Sequence, residues 1–147
     1  MRLVVVGGVA AGLSAAARAK RCDPSLDVTV LEKGDAIAWS ACGLPYFLEG
    51  RLRSTNQLIH YTPQRFHRER GVEVRTHAEV AAILHPRRLV TLAHGEQVPY
   101  DRLVIATGAR PHRALEGFTL ATLDDANRLL CHLREKKPRR ATIIGAG

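Results

Sequence analysis

The stretch RLVVVGGVAAG, residues 2–12, constrains this chain more than any other. RLVVV is a short, apolar, β-branched run that reads as a buried strand, and Gly7-Gly8 ends it. From Ala10 to Arg21 the residues are small and alanine-rich, with no breaker after Gly12, which predicts a helix that Asp23-Pro24 stops. DVTVLE, residues 27–32, supplies a second buried strand. Strand, glycine turn, helix and strand within ~30 residues make a βαβ unit, and its strands should be parallel.

Beyond a segment around Cys42, Thr62-Pro63 opens a short polar helix through Arg70, with Pro63 at the first helical position. GVEVRT (71–76) alternates as a strand. Between 78 and 101, EVAAIL, RLVTL and QVPY are separated by HPRR and AHGE, which predicts a small antiparallel meander. RLVIATGARP (102–111) is another apolar strand that runs into a glycine turn. Thr122 to His132 reads as a helix with Asp124 and Asp125 in its first turn, where the helix dipole favours acids. ATIIGAG (141–147) begins a further strand and glycine turn. A buried strand with nothing to pack on it is unexpected at the end of a complete protein, so the chain reads as the front part of a longer one.

At 147 residues and 46% hydrophobic content, the chain can form an ordinary soluble core. No apolar run approaches the ~20 residues of a membrane span. MRLVVVGG is too short for a signal peptide, so the cytoplasm is the expected location by default. The three cysteines, Cys22, Cys42 and Cys131, are too widely spaced for a disulfide framework or a zinc site. A net charge of +8 favours anionic partners. Only 5% of residues are aromatic and the arginines are scattered, which argues against nucleic acid; REKKPRR (134–140) reads as a solvated helix end and linker.

Three features carry chemistry. In a dinucleotide-binding turn the first glycine makes the bend, the second admits the pyrophosphate and the third lets helix and strand pack closely. Gly7 and Gly12 fit the first and third roles, while Val9 stands where the second would be, with Gly8 beside it. Glu32 ends the second strand, where its carboxylate can accept from ribose hydroxyls and would repel a 2′-phosphate. Thr107 and Gly108 put bare backbone at another strand's carboxyl end, beside the same crevice. Ser40, Ala41 and Gly43 leave the Cys42 sulfur accessible, and Pro45 suits the first turn of a helix, whose N-terminus lowers a thiol pKa. Taken alone, the glycine turn also fits a βαβ unit that binds nothing, and a lone cysteine fits a structural role. Cys22 and Cys131 are read as structural.

Together VVVGGVAAG…LEKG, WSACGLPYFLEG, YTPQRFHRERGVEV, HAEV and YDRLVIATGARP resemble the FAD-dependent pyridine nucleotide-disulfide oxidoreductases. The resemblance is to their single-cysteine branch of coenzyme A disulfide reductases, CoA-persulfide reductases and NADH oxidases or peroxidases, which Val9 also fits. It implies an α/β fold: a doubly wound parallel FAD-binding sheet with an inserted antiparallel β-meander, plus the start of a second Rossmann-like domain. Residues 1–111 would be the first part of the FAD-binding domain and 112–147 a truncated start of the NAD(P)-binding domain. Gly7, Gly8, Val9, Ala10, Ala11, Gly12, Glu32 and Lys33 would hold the FAD pyrophosphate and adenosine ribose. Val80 would meet the adenine through its backbone, and Ala106, Thr107 and Gly108 would line the flavin side.

Cys42 would take electrons from FAD, with NAD(P)H as co-substrate, and reduce a CoA disulfide, persulfide or similar disulfide. Ser14, Arg18, Arg21 and Arg70 match positions that contact the CoA nucleotide. Ala38 and Ala41 depart from the serine and asparagine of CoA-using members. The later flavin segment and the dimerisation domain are not in the chain, and the complete protein would be a homodimer with neither nucleic-acid nor membrane partners. The alternatives are an oxidase or peroxidase cycling Cys42 through a sulfenic acid, or a truncated, non-catalytic nucleotide-binding remnant.

Overall fold

In the computed structural model, which describes residues 1–111 and 117–145, the opening valine run is strand β1 (Arg2–Val6), buried in all but Arg2. The glycine turn leads into helix α1 (Ala10–Cys22), where the Asp23 N–H donates back to the Ala19 carbonyl at the helix end. β2 (Asp27–Leu31) lies parallel to β1, with Arg2 opposite Asp27 and Val6 opposite Leu31. The βαβ unit forms as its sequence requires.

β3 (Ile37–Trp39) feeds a 3-10 turn at Ala41–Gly43 and the short helix α2 (Leu44–Leu48), with Pro45 in its first turn. A second 3-10 turn, Thr55–Leu58, returns the chain to β4 (Ile59–Tyr61), antiparallel to β3. This pair adds to the expected elements, because three-residue strands are too short for alternation to show. α3 (Pro63–Arg70) starts where Thr62-Pro63 predicts: Thr62 Oγ1 accepts from the Arg65 N–H, and Gly71, with φ +66°, ends the helix.

β5 (Glu73–Arg75) lies parallel to β2. β6 (Val80–Leu84), β7 (Leu89–Leu92) and β8 (Gln97–Pro99) form the antiparallel meander. β9 (Arg102–Ile105) returns to pair parallel with β1. α4 (Leu123–Lys136) runs a turn past the expected end and takes up Arg134 to Lys136 of the basic run. The strand expected in ATIIGAG does not form: residues 141–145 are irregular, and Ile143 and Ile144 are 87% and 76% exposed. None of the described strands pairs with that run, so it has no ladder to satisfy its backbone groups. Ala146 and Gly147 lie outside the described residues.

The main sheet has the order β5-β2-β1-β9, all parallel. One face buries Leu3, Val5, Val28 and Val30 with Leu13 and Ala16 of α1 and Phe66 of α3. The other buries Val4 and Leu31 with Val90 and Leu92 of the meander and Tyr100. Each of these valines and leucines, like Phe66, contributes about 1.5–3 kcal/mol on burial, and covering both faces explains why these strands are apolar without alternation. From β1 the chain proceeds to β2 and β5 on one side, whereas β9 lies on the other. The crevice beyond the carboxyl ends of β1 and β9 is therefore the topological switch point, where open α/β sheets bind ligands.

Two compact units result: Met1–Ser40 with Ile59–Ala109, and Ala41–Leu58 with Arg110–Gly147. The first holds the sheet, the meander, α1 and α3. In the second, α2 packs on α4, and the Phe118 ring lies 4.7 Å from that of His132. Among the described residues no helix is long and apolar enough to cross a membrane.

Candidate functional site

The glycine turn is built from backbone that leaves no room for side chains. Gly7 has φ +111°, and a Cβ there would lie 2.2 Å from the Ala106 carbonyl oxygen. A Cβ on Gly12 would lie 1.8 Å from the Gly7 oxygen, and one on Gly8 would lie 2.8 Å from the Glu32 Cβ. The turn is held from both sides: the Gly7 N–H donates to the Leu31 carbonyl and the Ala106 N–H to that of Val6, each at 2.8 Å. Ala106, Thr107 and Gly108 thus follow β9 directly beside Gly7, with Thr107 and Gly108 exposed.

The turn opens onto a helix that lacks a cap of its own. Val9 stands at the N-cap of α1, offers no side-chain acceptor, and is followed by no acid in the first turn. α3 and α4, by contrast, are capped by Thr62 and Thr122. Among the described residues the first amides of α1, at Ala10, Ala11 and Gly12, have no side-chain partner, and the helix dipole favours an anion there. The bare turn and the uncapped helix fit a pyrophosphate.

Glu32 is buried at the end of β2, and its carboxylate already serves the backbone. Oε2 accepts from the Gly8 N–H at 2.6 Å and Oε1 from the Gly34 N–H at 2.8 Å. Carboxylate oxygens have further lone pairs, so ribose hydroxyls could still be accepted. The Glu32 carbonyl accepts from the Ala78 N–H at 2.9 Å, which brings the start of β6, with Val80, to the end of β2. Lys33 is exposed beside it. A shallow cavity of about 240 Å³, lined by Arg2, Asp27, Thr29, Glu73, Arg75 and Glu96 among others, lies toward the strands' amino ends and contains none of the candidate residues.

Ser14, Arg18 and Arg21 are exposed on α1 at a spacing that places them on one helix face. Arg70, at the end of α3, donates to the Tyr61 hydroxyl at 3.3 Å. α1 and α3 pack on the same sheet face, so these four positions share one side of the first unit. Among the described residues Arg18, Arg21 and Arg70 enter no ion pair.

Cys42 belongs to the second unit, exposed in the turn before α2. Cys22 and Cys131 are exposed as well, which corrects their reading as structural: one ends α1 and the other lies on the solvated side of α4. Cys131 Sγ donates to Glu135 Oε1 at 3.1 Å, and that carboxylate holds the thiol above its ordinary pKa, in its unreactive form. A pair without local sequence signal brackets Cys42 in the chain: Ser40 Oγ lies 2.5 Å from His60 Nε2, both within the first unit.

The fold recurs in known proteins. Residues 1–147 match the family model described as pyridine nucleotide-disulphide oxidoreductase. The NAD(P)H coenzyme A polysulfide/persulfide reductase of Pyrococcus horikoshii is 36% identical over 99% of the chain and 34% of its own length. The NADH oxidase of Methanocaldococcus jannaschii is 29% identical over 100% of the chain and 35% of its length. The solved NAD-dependent persulfide reductase from A. fulgidus superposes with a TM-score of 0.84 at 32% identity, covering 92% of this chain and 28% of that one. The chain thus spans about a third of the curated relatives it matches. With its glycine turn, parallel sheet and meander, it belongs to the pyridine nucleotide-disulphide oxidoreductase family.

Proposed function

We propose that the chain is the FAD-holding part of an NAD(P)H-dependent enzyme that reduces a CoA disulfide, a persulfide or a similar disulfide through Cys42. The observation that carries this reading is the bare glycine turn at the switch point, opening onto the uncapped α1. FAD held there would supply electron transfer between the nicotinamide and sulfur. The amides of Ala10, Ala11 and Gly12 would hold the pyrophosphate, with Gly7, Gly8 and Val9 giving it close approach. Glu32 and Lys33 would serve the adenosine ribose, Val80 the adenine and Ala106 to Gly108 the flavin side.

Cys42, as a thiolate, would attack one sulfur of the disulfide, forming a mixed disulfide and releasing the other half as a thiolate. The two electrons that NAD(P)H delivers then cleave that mixed disulfide, and protonation restores both thiols. The P. horikoshii relative, named for CoA polysulfide or persulfide, supports a CoA-type substrate, whose phosphates Arg18, Arg21 and Arg70 would contact, with Ser14 beside them. Residues 112–147 would open the nicotinamide-binding domain of a homodimer.

The M. jannaschii NADH oxidase supports a second reading, in which Cys42 cycles through a sulfenic acid and the oxidant is oxygen or a peroxide. In the full-length protein, Cys42→Ser should abolish disulfide reduction while FAD stays bound. Intact mass of the non-reduced enzyme should show a thiol-sized adduct on the Cys42 peptide. An added oxygen there, with NADH-driven oxygen consumption, selects the oxidase instead. Full disulfide reductase activity in Cys42→Ser would overturn both readings.

A further inference from the structure

Residues 41–58 form an excursion that leaves the first unit after Ser40 and returns at Ile59. Its stem is the β3–β4 pair, with Ile37 opposite Tyr61 and Trp39 opposite Ile59. A two-stranded ribbon this short is marginal without support. Its base has support: Ile37 is fully buried, and the Tyr61 ring meets Phe66 edge-on at 5.4 Å, with the Arg65 guanidinium 4.7 Å from its centroid. Ala38 is fixed there too. Its N–H donates to the Gly8 carbonyl at 3.0 Å, and it holds a left-handed φ of +51°, unfavourable for a residue with a Cβ.

The mouth of the stem is different. In this register His60 stands opposite Ala38, so Ser40 is its diagonal neighbour, within reach across an antiparallel pair. Ser40 Oγ and His60 Nε2 meet at 2.5 Å, at the point where one strand departs toward Cys42 and beside the point where the other arrives. The bond survives a change of tautomer, since either the hydroxyl or the ring N–H can donate.

We propose that Ser40 and His60 form a clasp at the neck of the excursion, and that His60, acting through Ser40, is a positioning residue for Cys42. The inference rests on Cys42 being the redox sulfur, but the clasp can be tested without that assumption. In the chain itself, amide exchange over residues 39–43 and alkylation of Cys42 by iodoacetamide, read on its own peptide, report the clasp without flavin or turnover. Ser40→Ala and His60→Phe should each speed exchange roughly fivefold, the factor an ordinary hydrogen bond contributes to a local opening. Cys42 alkylation should rise in step, while Cys22 and Cys131 keep their rates.

The double variant should match either single one, because both remove the same bond. Ser40→Thr and His60→Gln, which retain the hydrogen-bonding groups, should restore the parent rates. Additive effects, no effect, or equal changes at all three cysteines would overturn the clasp. Persisting turnover in full-length Cys42→Ser would instead overturn the redox reading and leave the clasp measurement standing.

Discussion

An alanine at position 12 has no place to put its methyl group, because the obstructing Gly7 oxygen is itself backbone and 1.8 Å away. Overpacking of this kind costs about 1–3 kcal/mol, and a rigid neighbour puts Gly12→Ala near about 3 kcal/mol. Gly117, where a methyl group would meet no atom of the described residues within 4 Å, provides the control: Gly117→Ala should stay within about 0.5 kcal/mol. Urea denaturation measures both, and equal shifts would mean that steric exclusion is not what Gly12 serves. The roles of Gly7 and Gly12 are legible in sequence because bend and close packing are demands on a few consecutive residues. Glu32 is only half legible. Its place at the end of a strand shows, but its bonds to the Gly8 and Gly34 amides depend on which backbone lies across the sheet. Ser40 and His60, twenty residues apart, leave no sequence trace of their contact.

Among the elements, the starts of α3 and α4 are legible because threonine caps act within one turn, whereas β3 and β4 show no period. The expected strand at 141–145 failed for the opposite reason: apolar composition was present, but no described strand pairs with it. α4 carries a capping box with a pH signature. Thr122 Oγ1 accepts from the Asp125 N–H at 3.0 Å, and Asp125 Oδ2 accepts from the amides of Ala121 at 3.0 Å and Thr122 at 3.2 Å. Burial pushes the Asp125 carboxyl up, but the Ala121 amide, the Arg128 guanidinium 2.6 Å away and the Thr119 side chain outweigh it and hold it below the ordinary 3.8.

A carboxyl depressed in the folded state stabilises above its unfolded pKa and loses that contribution as pH falls through the lower, folded value. Asp125→Ala should therefore cost about 1–2 kcal/mol near pH 7. It should also flatten the fall in stability below about pH 4, the ordinary aspartate range. Denaturation at neutral and acid pH distinguishes this from a simple loss of helix propensity, which would lower stability equally at both.

For the whole molecule, the +8 charge becomes specific only if it is focused, and Arg18, Arg21 and Arg70 are where a CoA-type nucleotide would focus it. In the full-length enzyme, Arg21→Ala should raise KM for a CoA disulfide roughly tenfold, the effect of losing a charge-assisted hydrogen bond. A small disulfide without the nucleotide should be unaffected, and added salt should narrow the difference. Equal losses on both substrates would remove the phosphate role. The same charge bears on the two edges of the parallel sheet. β5 is short and carries Glu73 and Arg75, which discourages further pairing. β9 is apolar, pairs only with β1 among the described strands, and ends at Ile105, which is 63% exposed. The expected consequence is colloidal: mutual repulsion should keep these chains dispersed in dilute buffer, and light scattering should rise in concentrated salt as β9 edges meet.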